Sequence, residues 1–168
     1  WAALRLKPAP ERRVALVLAN YPNRDGRLGN GVGSDTPAGA VTVLRALKKE
    51  GYKISDIPAD GDALIERMMA GPTNDFGALS SRSVPETLSM ADYQHFLGSL
   101  PKTVQDAVHE RWGAPEEDPF FRPGEVDCGN FAIAAFRLGN IAVALQPARG
   151  YNIDAKESYH SPDLVPPH

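Results

Sequence analysis

The spacing of apolar positions changes several times along the chain. Residues 14–19, Val-Ala-Leu-Val-Leu-Ala, form a short continuous apolar run behind Arg12 and Arg13 and ahead of Pro22. A run of that length, bounded by charge and by proline, reads as a buried strand of a parallel sheet. Gly26, Gly29, Gly31 and Gly33 then mark a loop. Ser34 or Asp35 supplies an N-cap, Pro37 suits a first helical turn, and Val41, Leu44 and Leu47 recur at helical spacing up to Gly51. Residues 52–57 read as a second strand. Residues 13–57 therefore predict a βαβ unit with a right-handed crossover.

The helical period returns over residues 63–70, where Leu64, Ile65, Met68 and Met69 lie behind the Asp60-Gly61-Asp62 start and ahead of Gly71-Pro72. Residues 73–88 have no period. Ser89 caps a helix through Tyr93, Phe96 and Leu97, and Pro101 opens another through Val104, Val108 and Trp112 to Gly113. Residues 131–138 and 141–146 flank Gly139-Asn140, a hairpin signal. The expected fold class is α/β. A Rossmann-like βαβ core with a parallel sheet carries an inserted helical hairpin over 89–113, then a C-terminal β-hairpin and an irregular tail over 147–168, all in a single domain over 1–168.

Composition narrows the function classes. The 168 residues are 42% hydrophobic and 23% charged, as in a soluble globular chain with a core of its own. The formal net charge of -3 disfavours a nucleic-acid partner. The single cysteine, Cys128, cannot form an internal disulfide. The longest apolar stretch falls far short of the ~20 residues that span a bilayer, and residues 1–13 carry no signal-peptide apolar region. A soluble, cytoplasmic protein that needs no membrane is expected. The chain starts at Trp1 and ends in Pro-Pro-His, which reads as one domain cut from a longer polypeptide.

The candidate chemistry lies in two places. After the first strand, the glycine loop could present backbone N–H groups to an anion at a helix N-terminus. Its spacing fits neither G-x-G-x-x-G nor G-x-x-x-x-G-K-[ST], so a structural turn is the first reading and a ligand loop the second. Arg24 and Arg27 favour the ligand loop, because guanidinium groups match carboxylates. In the tail, His160 and His168 are interleaved with Asp154, Glu157, Asp163, Tyr151 and Tyr159. Imidazole and carboxylate together can hold a divalent metal or move protons, although no tight spacing such as H-E-x-x-H is present and solvated loop residues are the plainer reading. His95 and His109 read as surface or interface histidines of the helical hairpin, and Cys128 as an incidental thiol.

Two long segments also carry a resemblance. Residues 13–33, with Asn20-Tyr21-Pro22-Asn23-Arg24-Asp25-Gly26-Arg27, and residues 139–168, with Gln146-Pro147-Ala148-Arg149-Gly150-Tyr151-Asn152 and Lys156-Glu157-Ser158-Tyr159-His160, resemble the large subunits of aerobic cobaltochelatases of the CobN type. These are similar in turn to the porphyrin-binding large subunits of magnesium chelatases. The resemblance implies a subunit much longer than 168 residues that holds a tetrapyrrole, a corrinoid precursor. It implies AAA+ ATPase and integrin-like partner subunits that handle ATP and Mg2+, and insertion of Co2+, the substrate metal, into hydrogenobyrinic acid a,c-diamide. His160 and His168 then deliver metal or accept protons, with Glu157 assisting. Arg149, Lys156, Arg24 and Arg27 pair with peripheral carboxylates, and Tyr151, Asn152 and Asn20 join the substrate site. Two other readings stand beside it. One is a non-catalytic scaffold domain of the same subunit, and the other a free-standing Rossmann-like module that binds an anion or nucleotide.

Overall fold

The computed structural model describes residues 5–20, 25–31, 33–124, 128–148 and 168. The chain divides into two compact units. The first comprises Trp1–Glu86 with Ala134–Pro147, and the second Thr87–Ile133 with Ala148–His168.

The first unit is built on a three-stranded sheet of order β1-β6-β5, from β1 (Val14–Leu18), β5 (Ala135–Leu138) and β6 (Ile141–Leu145). β1 and β6 run parallel, with Val14 opposite Ile141 and Leu18 opposite Leu145. β5 and β6 form the antiparallel hairpin that Gly139-Asn140 predicts. Gly139 has φ 75° at this turn, and a Cβ there would collide with the Lys53 carbonyl. Glycine is therefore required on both counts. Helix α1 (Thr36–Lys49) is capped by the Asp35 carboxylate, which accepts from the Ala38 N–H at 3.1 Å. Helix α2 (Gly61–Met69) is capped in the same way by Asp60. Val41 and Leu44 of α1 and Leu64 and Met68 of α2 join Leu18, Leu138, Ile141, Val143 and Leu145 in one aliphatic core.

The sheet expected from residues 14–19 is present but mixed, with one parallel pair, β1 and β6, and its second strand is not residues 52–57. That segment forms no strand. Asp56 takes φ 49°, which breaks extended backbone, and its carbonyl accepts from Arg67. The Lys53 carbonyl accepts from the Asn140 N–H at 2.9 Å, so the segment supports the hairpin turn instead of joining a ladder. The parallel partner of β1 comes from β6, more than 120 residues later, and the Rossmann-like βαβ unit is replaced by this long-range pairing. Nor is β1 buried on both faces. Leu18 is buried while Ala15 and Val17 are exposed, because side chains alternate between faces and the core covers only one of them.

The second unit holds a sheet of order β2-β4-β3, from β2 (Thr87–Ser89), β3 (Phe121–Arg122) and β4 (Asn130–Ala132), all antiparallel. Residues 131–138 are thus not one strand: the chain leaves β4 after Ala132 and enters β5, in the other sheet, at Ala135. Helix α3 (Met90–Gly98) is capped by Ser89, whose hydroxyl accepts from the Asp92 N–H at 3.0 Å. Helix α4 (Lys102–Trp112) stops at Gly113, φ 81°. Met90, Tyr93 and Phe131 form the buried centre, with Leu97 and Phe121 packed against it.

Candidate functional site

The parallel pairing of β1 and β6 brings two distant loops to one end of a sheet. β1 runs out through Ala19 to Asn20 and the glycine loop, and β6 runs out through Gln146 to Pro147. Adjacent strands lie about 4.8 Å apart, so both loops begin side by side at the carboxyl ends of their strands. Ligands of open α/β sheets commonly bind there. The Gln146 N–H donates to the Leu18 carbonyl at 2.8 Å, and the Gln146 carbonyl accepts from Asn74 Nδ2 at 3.0 Å, so a side chain closes the end of the ladder. The Gly29 N–H donates to the Ala19 carbonyl at 2.9 Å and folds the glycine loop back on β1, with Leu28 buried beneath it.

The polar residues at this end fall into two kinds. Thr73 is fully buried, yet its hydroxyl donates to Asp25 Oδ1 at 2.7 Å and accepts from Arg82 at 2.6 Å. Arg82 also pairs with Asp25 Oδ2. This knot ties the loop after β1 to the segment after α2. Asn20 is different. It is 4% exposed, and among the described residues neither Oδ1 nor Nδ2 has a hydrogen-bond partner. A buried amide with no partner is uncommon, because desolvation is costly when nothing replaces water.

The predicted site residues divide accordingly. Asn20 lies at this end of the sheet. Arg27 ends a 3₁₀ turn, Asp25–Arg27, in the same loop and is exposed. Arg24, Arg149, Tyr151, Asn152, Lys156, Glu157 and His160 lie outside the described residues. His168 belongs to the second unit. Its Nε2 meets the Gly113 carbonyl at 3.1 Å and its Nδ1 meets the Tyr93 hydroxyl at 2.5 Å. A carbonyl only accepts, so Nε2 carries the proton and Nδ1 accepts from the phenol. Both nitrogens of a neutral imidazole are thereby engaged. Burial pushes the Tyr93 phenol above its ordinary range, and the charge of Asp118 adds to the shift. His95 and His109 are exposed on their helices, and Cys128 is an exposed free thiol. Among the described residues no group of three or more His, Cys, Asp or Glu converges to hold a metal ion. No helix among them is long and apolar enough to cross a membrane.

Sequence reasoning missed Asp25, Thr73, Asn74 and Arg82 as a set. Residues 73–88 have no period to interpret, and the only local signal is a polar run directly after Gly71-Pro72. It also took Tyr93 for a plain apolar helix position.

Comparison with known proteins places this geometry in a family. The model of the CobN/Magnesium Chelatase family matches residues 1–168, the whole chain. The chain belongs to the CobN/magnesium chelatase family. It is 59% identical over its full length to an aerobic cobaltochelatase subunit CobN from a Sinorhizobium species, and 49% identical to the CobN subunit of Pseudomonas aeruginosa. It is 25% identical to a chloroplastic magnesium-chelatase subunit ChlH of rice. The chain spans only 13% of the length of each CobN relative. The catalytic subunit of cobaltochelatase from Mycobacterium tuberculosis matches it in structure over 99% of the chain, with a TM-score of 0.77 at 36% identity, and the match covers 13% of that subunit. The fold described here is thus similar to that of the matching part of the Mycobacterium tuberculosis subunit.

Proposed function

We propose that this chain is part of the tetrapyrrole-binding large subunit of an ATP-dependent, cytoplasmic chelatase. In this reading the subunit inserts Co2+ into hydrogenobyrinic acid a,c-diamide in aerobic cobalamin biosynthesis, with AAA+ ATPase and integrin-like partner subunits handling ATP and Mg2+. The observation that carries it is the full-length match to cobaltochelatase CobN subunits at 59% and 49% identity. The unpartnered Asn20 amide at the carboxyl end of the sheet supports a ligand at that end.

Insertion requires a metal ion stripped of water, loss of two ring N–H protons and a macrocycle bent out of plane. His160, with Glu157 three residues before it, accepts those protons or passes on the metal, since imidazole suits Co2+ and takes a proton near neutral pH. Arg149, Lys156, Arg24 and Arg27 pair with the rim carboxylates, and Tyr151, Asn152 and Asn20 complete the substrate contacts. His168 enters this scheme with both ring nitrogens already engaged. To bind a metal at Nδ1 it must release the Tyr93 hydroxyl, and to take a proton there it must reverse that hydrogen bond, the phenol oxygen then accepting. That engagement favours a second reading for this end of the chain, a scaffold role with the chemistry elsewhere in the subunit.

The test is cobalt insertion by the full-length subunit with its ATPase partners, followed through the absorbance of the corrinoid. His160→Ala and His168→Ala are assayed separately. A rate loss of two orders of magnitude or more in His160→Ala, with substrate binding retained, supports the reading. Rates within a factor of a few of the parent in both variants move the chemistry out of this segment.

A further inference from the structure

The two buried polar groups of the first unit that neighbour each other in sequence, Thr73 and Asn74, both have partners, and Asn20 has none among the described residues. Asn20 is not a loop-tip residue that water can reach, for it is 4% exposed and stands two residues beyond β1. Its backbone surroundings are held firmly. The Ala19 carbonyl is taken by Gly29, and the neighbouring strand end is closed by Asn74. A buried amide with no partner among the described residues calls for a physical explanation, and a ligand group that bonds both of its atoms is one.

The carboxamide dictates which ligand group fits. It offers N–H donors at Nδ2 and an acceptor at Oδ1, side by side. A primary carboxamide on the ligand is its complement, giving two antiparallel N–H···O bonds that satisfy both atoms. A carboxylate accepts from Nδ2 but turns a second negative oxygen toward Oδ1, leaving that atom unpaired and repelled. Asn20 carries no charge, so it gives no ionic compensation, unlike the exposed guanidinium of Arg27 in the same loop.

We propose that Asn20 recognises an amidated side chain on the macrocycle rim and so separates an amidated tetrapyrrole from its free-acid counterpart. This rests on the chelatase reading above, whose substrate carries both carboxamides and carboxylates. Asn20 is then a specificity-determining residue.

The experiment titrates the full-length large subunit with hydrogenobyrinic acid a,c-diamide and with unamidated hydrogenobyrinic acid, following corrinoid absorbance, in the absence of metal and ATP. Parent, Asn20→Leu and Asn20→Asp are compared. Leucine removes both polar atoms with the same branching and leaves no buried amide unsatisfied; it is bulkier than asparagine, so near-ultraviolet circular dichroism verifies that the variant subunit is folded. The expected result is a preference of the parent for the diamide that shrinks about tenfold or more in Asn20→Leu, almost wholly through weaker binding of the diamide. In Asn20→Asp the diamide weakens and the free acid weakens further. A parent that binds both ligands equally, or a preference unchanged in a folded Asn20→Leu subunit, overturns amide recognition and leaves the chelatase reading standing. A parent that binds neither ligand overturns both.

Discussion

The two units keep their polar groups in different places. In the first, thirteen buried residues, all but Phe136 non-aromatic, form an apolar core between one sheet face and two helices, and the polar cluster stands beyond the strand ends. In the second, the buried centre is Met90, Tyr93 and Phe131, and a polar bond runs through it. Tyr93 packs its ring 5.1 Å from Phe131 and 5.6 Å from the His168 imidazole, while its hydroxyl bonds that imidazole. In the first unit, chemistry can therefore be altered without emptying the core. In the second, His168 is part of the packing, and a substitution there changes structure and chemistry together. An activity loss in His168→Ala is interpretable only beside a stability measurement.

The largest effect that sharpens this contrast is expected at Leu44, which is fully buried between α1 and the sheet. Leu44→Ala should cost about 2–5 kcal/mol in the first unit, read from hydrogen exchange of the α1 and β6 amides in the full-length subunit. A loss below about 1 kcal/mol would mean that the aliphatic core is not what supports the strand ends.

Next comes Arg82, whose side chain is 14% exposed and whose removal leaves Asp25 and Thr73 with lost bonds. Arg82→Ala should cost about 1.5–3 kcal/mol, the range of buried hydrogen bonds to charged groups. It should also loosen the Asp25–Arg27 turn, seen as faster exchange at the Leu28 and Gly29 amides. Unchanged exchange there would show that the knot does not hold the glycine loop.

Tyr93→Phe is expected to cost about 1–1.5 kcal/mol in the second unit by stranding His168 Nδ1. It also tests a pH dependence with a definite sign. The phenol of the folded state keeps its proton above the ordinary value of about 10, whereas an unfolded tyrosine loses it there. Ionisation therefore favours unfolding. The contribution is complete below about pH 10 and is lost as pH rises through the higher folded value. Exchange of the Met90–Gly98 amides should accelerate steeply in that alkaline range in the parent and much less in Tyr93→Phe. Parallel curves would break the assignment.

The smallest effect is at the exposed pair Lys102–Asp106, 77% and 61% exposed. Lys102→Ala should change stability by no more than about 0.5 kcal/mol.

Much of this was legible locally. The Asp35, Asp60 and Ser89 caps, the stops at Gly51 and Gly113 and the Gly139-Asn140 turn follow from side-chain and backbone preferences within a few residues. Asn20 could be named from its segment, but its burial without a partner could not. That condition depends on what Gln146, Asn74 and Gly29 do at the same strand end.

The residues alone thus determined the helices, the hairpin, the α/β class and the family resemblance, because these depend on short-range spacing and on the order of motifs. Only the tertiary structure decided that β1 pairs with β6 and not with residues 52–57. The left-handed Asp56 and the demand of the hairpin turn for the Lys53 carbonyl outweigh strand propensity there. The same long-range pairing sets the start of the glycine loop beside the start of the tail, and at that end the Asn20 amide is buried without a partner among the described residues.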